Sequence, residues 1–175
     1  MSGFPLPIPV IETERLVLRA PRASDIPAHV ALMGSDRSKF IGGPQDEATA
    51  WRGFAGSLGH WVLNGYGMWM IADKADDTPL GRVGFINPFG WDEPELGWHL
   101  YAAAEGKGIA HEAAVAARTY GAEQLGLDGV ISYIDPANVR SLALADRLGA
   151  RFEREGEVMG HPCHVYRHPM IGEAA

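Results

Sequence analysis

Polar and apolar positions alternate over residues 13–19 (TERLVLR). Leu16 and Leu18 fall on one face, with Arg15 and Arg19 directed to the other, the pattern of a half-buried strand. Pro21 follows, and the side-chain oxygens of Ser24 and Asp25 suit the N-terminus of a short helix ending at Met33. After Gly42, Gly43 and Pro44, the residues Trp51, Phe54, Leu58, Trp61 and Val62 recur at helical spacing, which predicts a helix over 46–63. Two strands follow at 67–73 and 80–87, joined by a polar turn at 74–79, and a third at 94–101. An alanine-rich helix is expected over 107–124, a buried strand over 130–134, and a helix from Asp135 and Pro136 to Leu148 with Gly149 as its stop. Strands at 151–159 and 164–170 complete the pattern.

This order, with strands both clustered and interleaved with helices, implies a mixed α/β domain. Its sheet is expected to be largely antiparallel, with helices on both faces. No repeat, low-complexity run or linker divides residues 1–175, so a single domain is expected, with 1–11 as an extended N-terminal tail.

Composition removes several function classes. The formal charge of −7 argues against nucleic acid as a partner. No apolar run approaches the ~20 residues of a membrane span. The first nine residues lack the basic start of a signal peptide, so a soluble, cytoplasmic protein is expected. The single cysteine, Cys163, excludes an intramolecular disulfide and reads as a packed strand residue. The seven histidines show no metal-binding spacing, and no metal is expected.

The most informative segment is 100–114 (LYAAAEGKGIAHEAA), where a strand ends, Gly106 and Gly108 form a turn, and a helix begins at once. Bare glycine amides and a helix N-terminus suit a phosphate or pyrophosphate, although glycines here also serve purely steric ends. No Gly-Lys-Ser/Thr ending follows, which sets aside a nucleotide P-loop. Ala110, His111 and Glu112 stand where a dinucleotide fingerprint would need its last glycine.

Glu105-Gly106-Lys107-Gly108-Ile109-Ala110 resembles the Gln/Arg-x-x-Gly-x-Gly/Ala motif of the GNAT N-acetyltransferase family. Thr13-Glu14-Arg15-Leu16-Val17-Leu18-Arg19 with Asp25 resembles the opening of its ribosomal-protein-alanine acetyltransferase branch. So do Glu95-Leu96-Gly97-Trp98, Asn138-Val139-Arg140-Ser141 and Arg147-Leu148-Gly149-Ala150-Arg151-Phe152 further along. The resemblance implies a mostly antiparallel sheet of six to seven strands with a splayed parallel pair, here 94–101 and 130–134. It implies acetyl-CoA as cosubstrate. Its pyrophosphate would lie on the amides of Gly106, Lys107, Gly108, Ile109 and Ala110, and its pantetheine arm beside Leu100, Tyr101 and Asn138. Two residues depart from the family pattern. Glu105 stands where Gln or Arg is usual and is expected to turn away from the pyrophosphate. Ala145 stands where many relatives carry a tyrosine that protonates the departing thiolate.

Acyl transfer to an amine needs a proton acceptor, a donor for the oxyanion and a donor for the leaving sulfur. Glu95 is the candidate general base, directly or through water, with His99 on the same strand face as the alternative. Ser141 is the candidate donor to sulfur, and a backbone N–H near Leu100 the oxyanion donor. Trp61, Tyr66, Trp69, Trp91 and Trp98 divide between core and acceptor pocket in a way the sequence leaves open. The expected partner is a primary amine, either a small molecule or a protein N-terminus. Relatives often form homodimers. A non-catalytic acyl-CoA sensor is the competing expectation.

Overall fold

The computed structural model describes residues 6–172. Its strands are β1 (Ile11–Glu12), β2 (Leu16–Arg19), β3 (Met68–Asp73), β4 (Pro79–Ile86), β5 (Glu95–Leu100), β6 (Ile131–Ile134), β7 (Arg151–Val158) and β8 (His161–Arg167). They form one sheet in the order β1-β2-β3-β4-β5-β6-β8-β7, antiparallel throughout except for β5 beside β6. The helices are α1 (Ile26–Met33), α2 (Glu47–Asn64), α3 (Ile109–Tyr120) and α4 (Val139–Arg147). The eighth strand is β1, whose two residues pair with β2 at Ile11↔Leu18 and Glu12↔Val17 and are too few to carry a periodic signal. Of the expected tail, residues 1–5 lie outside the described residues. Ile8 is buried in the core, and the Pro9 carbonyl accepts a hydrogen bond from Trp69 Nε1 at 2.9 Å.

Strand alternation sends apolar side chains to both sheet faces. Leu16, Leu18, Trp69, Ile71, Val83, Phe85 and Leu96 pack with Ile109, Ala113 and Ala117 of α3. Met70 of β3 points the other way and packs with Leu32 of α1 and Phe54 of α2. The small residues of α3 let it lie close to the sheet. Where it ends, a Cβ on Gly121 would come within 2.3 Å of the Phe85 ring.

Asp46 caps α2, its Oδ1 accepting from the Thr49 N–H at 2.8 Å, and Gly65 ends the helix with φ 76°. Two other expectations change. Asp25 does not cap α1. It accepts both nitrogens of a bidentate Arg19 guanidinium at 2.9 and 3.0 Å, and the Arg22 N–H at 2.7 Å. Arg19, expected on the outer face, is therefore buried with its partner. Removing one member of such a sealed pair costs about 3–5 kcal/mol. Helix α4 begins at Val139 rather than at Asp135. Asp135 Oδ1 instead accepts from the Ala137 N–H at 2.7 Å in a local turn, and Asn138 is the cap, accepting from the Ser141 N–H at 3.2 Å.

Candidate functional site

The two parallel strands share a single register pair, Glu95↔Ile131, and then part. Side chains hold the root of the opening. Ser132 Oγ donates to the Leu96 carbonyl at 2.6 Å, and Glu95 Oε2 accepts from the Tyr133 N–H at 3.0 Å. Because the Ser132 proton is committed to Leu96, His168 Nε2, 3.0 Å from that hydroxyl oxygen, must be the donor between them.

Beyond this root the edge of β5 is open. Along a strand, successive residues direct their main-chain groups to opposite sides. The Tyr101 N–H donates to the Leu80 carbonyl at 2.8 Å on the β4 side, so Leu96, Trp98 and Leu100 face the opening. Tyr101 therefore has no free amide for a pantetheine arm, contrary to the sequence expectation. Trp98 shares that edge with Leu100 instead. The register against β4 identifies it, and motif spacing does not.

The edge leads into the glycine turn. Gly106 and Gly108 adopt φ of 73° and 76°, left-handed backbone that side chains disfavour. The first amide of α3 with a carbonyl partner is that of Glu112, which donates to Gly108 at 3.1 Å. Among the described residues, the N–H groups of 106–111 have no partner and stand at the positive end of α3. This is donor chemistry that fits a diphosphate, the test a coenzyme A site must pass. The turn is anchored from the opening of the chain. The Arg15 guanidinium donates to the Lys107 carbonyl at 3.0 Å and to Glu112 at 2.7 Å, and Thr13 Oγ1 donates to Glu112 at 2.5 Å.

Edge and turn open into one cleft of about 1520 Å³. Gly106, Gly108, Ile109, Ala110, Leu100 and Asn138 line it, joined by Trp98, His99 and Ser141. Lys107 contributes its main chain at the turn while its side chain is exposed. Of the five aromatic residues considered for an acceptor pocket, Trp98 alone among the described residues lines the cleft; Trp61 and Trp69 are core.

The two catalytic candidates fall on opposite faces of the sheet. Trp98 projects toward α4, where its indole N–H donates to Ser141 Oγ at 3.2 Å and leaves the Ser141 proton free to donate. Ala145, one turn further on, is fully buried against Ile134 and Ala150. Glu95, Gly97 and His99 project toward α1 and α2. Glu95 is buried, with 8% of its surface exposed, and burial holds its carboxyl pKa well above the usual range. It lies behind the cleft wall. Gly97 presents no side chain beside it; a Cβ there would sit in contact with Glu95 Oε1 at 3.4 Å and Met68 Sδ at 3.9 Å. His99 reaches the cleft, but burial, Arg82 and His29 hold its imidazole pKa well below the ordinary value.

Glu105 does not simply turn to solvent. It accepts from Arg140 at 2.6 Å and from Arg37, so that two arginines from opposite walls meet over the turn. The sequence showed the unusual carboxylate but not these partners, which lie 68 and 35 residues away.

Comparison with known proteins agrees with this geometry. The family model described as an acetyltransferase (GNAT) domain matches residues 15–151. An uncharacterized N-acetyltransferase of Bacillus subtilis, YnaD, is 33% identical over 83 residues, which is 47% of this chain and 48% of that protein. The chain thus spans about half the length of this curated relative. The crystal structure of an acetyltransferase from Agrobacterium tumefaciens is 36% identical and superposes with a TM-score of 0.86 over 96% of this chain and 98% of its own. RimL, a ribosomal L7/L12 alpha-N-protein acetyltransferase solved with coenzyme A, has a TM-score of 0.75 at 20% identity, covering 94% of this chain and 100% of its own, a likeness of fold. With a matching family model over most of its length, and a splayed strand pair leading to an amide-rich turn, the chain belongs to the GNAT acetyltransferase family.

Proposed function

We propose that the protein transfers the acetyl group of acetyl-CoA directly to a primary amine within a ternary complex, residues 1–175 acting as one acetyltransferase domain. The observation that carries this reading is the row of unpartnered amides over 106–111, opening into the same cleft as the unpaired edge of β5. The turn would hold the pyrophosphate. Leu100 and Trp98 would hold the pantetheine arm along their main-chain groups that face the opening, where the Leu100 carbonyl accepts from Arg37 at 3.4 Å, with the Asn138 side-chain NH₂ beside it. Acetyl-CoA supplies a thioester reactive enough that positioning can provide much of the acceleration.

The amine approaches from the α1–α2 face and the sulfur departs toward α4, which suits a direct displacement. Glu95, through a water beside Gly97, accepts the proton that the ammonium must lose, and burial, which raises its pKa, makes the ionised carboxylate a stronger proton acceptor. A main-chain N–H of the open edge faces the carbonyl oxygen as charge develops. The N–C bond forms, the C–S bond breaks, and Ser141 Oγ–H donates to the departing sulfur. Ser141 thus stands in for the tyrosine absent at Ala145.

Release of free thiol from acetyl-CoA, measured against a panel of primary amines and N-terminal peptides, tests the reading. Turnover on any of them supports it; coenzyme A binding without turnover supports the acyl-CoA sensor instead.

A further inference from the structure

Beneath α1 and α2, on the face of the sheet that bears Glu95, lies a group of polar side chains that the transfer chemistry does not use. Arg82 of β4 stands directly opposite His99 of β5 in the strand register. The His99 ring lies 6.0 Å from His29 of α1 and 6.4 Å from Tyr101. Arg82, His29 and Tyr101 are 3%, 5% and 8% exposed. Arg82 donates to Ser57 Oγ at 2.6 Å and stacks 5.3 Å from the Phe54 ring, and it has no carboxylate partner among the described residues. Asp25, whose charge acts on Arg82, is committed to Arg19 and the Arg22 amide.

Five sealed side-chain polar atoms lack a hydrogen bond among the described residues. Four of them sit in this group: Arg82 Nε, His29 Nδ1, His99 Nε2 and Tyr101 OH. Such atoms cost about 1–3 kcal/mol each when left unpaired, and a guanidinium cannot escape by losing its proton. A buried cation with no counter-ion calls for an anion. His99 and Leu32 line the large cleft, so the group has a way in from the acceptor side.

We propose that Arg82, His99 and Tyr101, backed by His29, form a subsite for an oxyanion carried by the acceptor, so that the substrate is an amine that also bears a carboxylate. This rests on the acetyl-transfer reading and narrows its substrate class. Glu95 and His99 are four residues apart on one strand face, which separates them by about 13 Å. The amine and the carboxylate of the acceptor are therefore several bonds apart, with the bare Gly97 between their two stations.

The test uses matched probes, 5-aminopentanoate against 5-aminopentanamide and triglycine against triglycinamide, with the full chain and acetyl-CoA. The acids are expected to exceed the amides roughly 10-fold or more in kcat/KM, as for other sites built around a buried polar contact. Arg82→Met and His99→Phe should each erase that preference. Acetate alone should raise the melting temperature of the wild type but not of Arg82→Met, a readout that needs no turnover and no coenzyme A. Equal use of acids and amides overturns the proposal, as does a preference that survives both variants. Stabilisation by acetate without discrimination between acids and amides also contradicts it, leaving an adventitious anion site. A separate coenzyme A titration distinguishes these failures from failure of acetyl transfer itself: binding retained with no acid preference removes the subsite alone.

Discussion

The indole N–H of Trp98 donates to the Ser141 hydroxyl oxygen across 3.2 Å, from β5 to the first turn of α4. One residue thus offers its main chain to the open strand edge and its side chain to the group proposed to meet the sulfur. With the Ser141 oxygen held as an acceptor, its proton is directed elsewhere. Trp98→Phe is expected to lower kcat by about 2- to 10-fold, the worth of one hydrogen bond, while leaving the coenzyme A Kd nearly unchanged. Ser141→Ala should fall in the same range, and the double variant should cost little more than either single change. Additive losses in stopped-flow or steady-state rates would show that the two residues act separately.

Glu105 binds Arg37 and Arg140 at the mouth of the turn proposed to hold the diphosphate. All three side chains are at least partly exposed, so each pair contributes at most about 1 kcal/mol to stability. Their larger effect falls on the ligand, since Glu105 competes with phosphate for the same guanidiniums. Glu105→Gln should therefore tighten coenzyme A binding several-fold at low salt, with the gain shrinking as ionic strength rises. Calorimetric titration at two salt concentrations checks this, and weaker binding in the variant would contradict it.

The raised pKa of Glu95 comes from burial, which favours its protonated form. As the proposed base it works only when ionised, so kcat/KM should rise with pH through that elevated value, and Glu95→Gln should flatten the limb and lower the plateau. The linked stability effect has a definite sign. A carboxyl that is harder to ionise in the fold favours folding below its ordinary pKa of 4.5 and loses that contribution as pH rises through the folded value. Thermal melts should show Glu95→Gln gaining on the wild type as pH increases. An unchanged pH–rate profile would remove Glu95 as the base.

Three histidines, two buried and one on the cleft wall, act in the opposite direction. Burial lowers His29 to about 4 and His168 to about 3, with nearby arginines adding to the effect, and His99 is also held well below 6.5. Each favours folding above 6.5 and loses that contribution as pH falls toward the lowered folded values. The melting temperature should therefore begin to drop below about pH 6.5, before most carboxylates titrate. A flat midpoint between pH 7 and pH 5 would contradict this.

The parts of this molecule legible in the sequence are those written in short stretches. Gly106 and Gly108 formed the strand-to-helix junction, and α2 and β2 formed where their periods put them, burying Phe54, Trp61, Leu16 and Leu18 but leaving Trp51 and Val62 of the α2 stripe exposed. Misread parts depended on partners that periodicity and capping rules do not name. Asp25 looks like a helix cap until Arg19 claims it, and Tyr101 looks available to pantetheine until Leu80 takes its amide. Asp135 and Pro136 read as a helix start, but the local turn at Asp135 delays α4 to Asn138. The Arg82 group was invisible because it gathers single side chains from α1, α2, β4 and β5 that are far apart in sequence and share no motif.

The central claim, that the amides of the 106–111 turn grip a diphosphate, is tested most directly by isothermal titration with coenzyme A. One site per chain is predicted for the wild type. In Gly108→Val, where left-handed backbone costs a branched residue about 1–2 kcal/mol, binding should weaken roughly tenfold or more. No heat of binding with the wild-type protein, or equal affinity in the two proteins, would contradict the account.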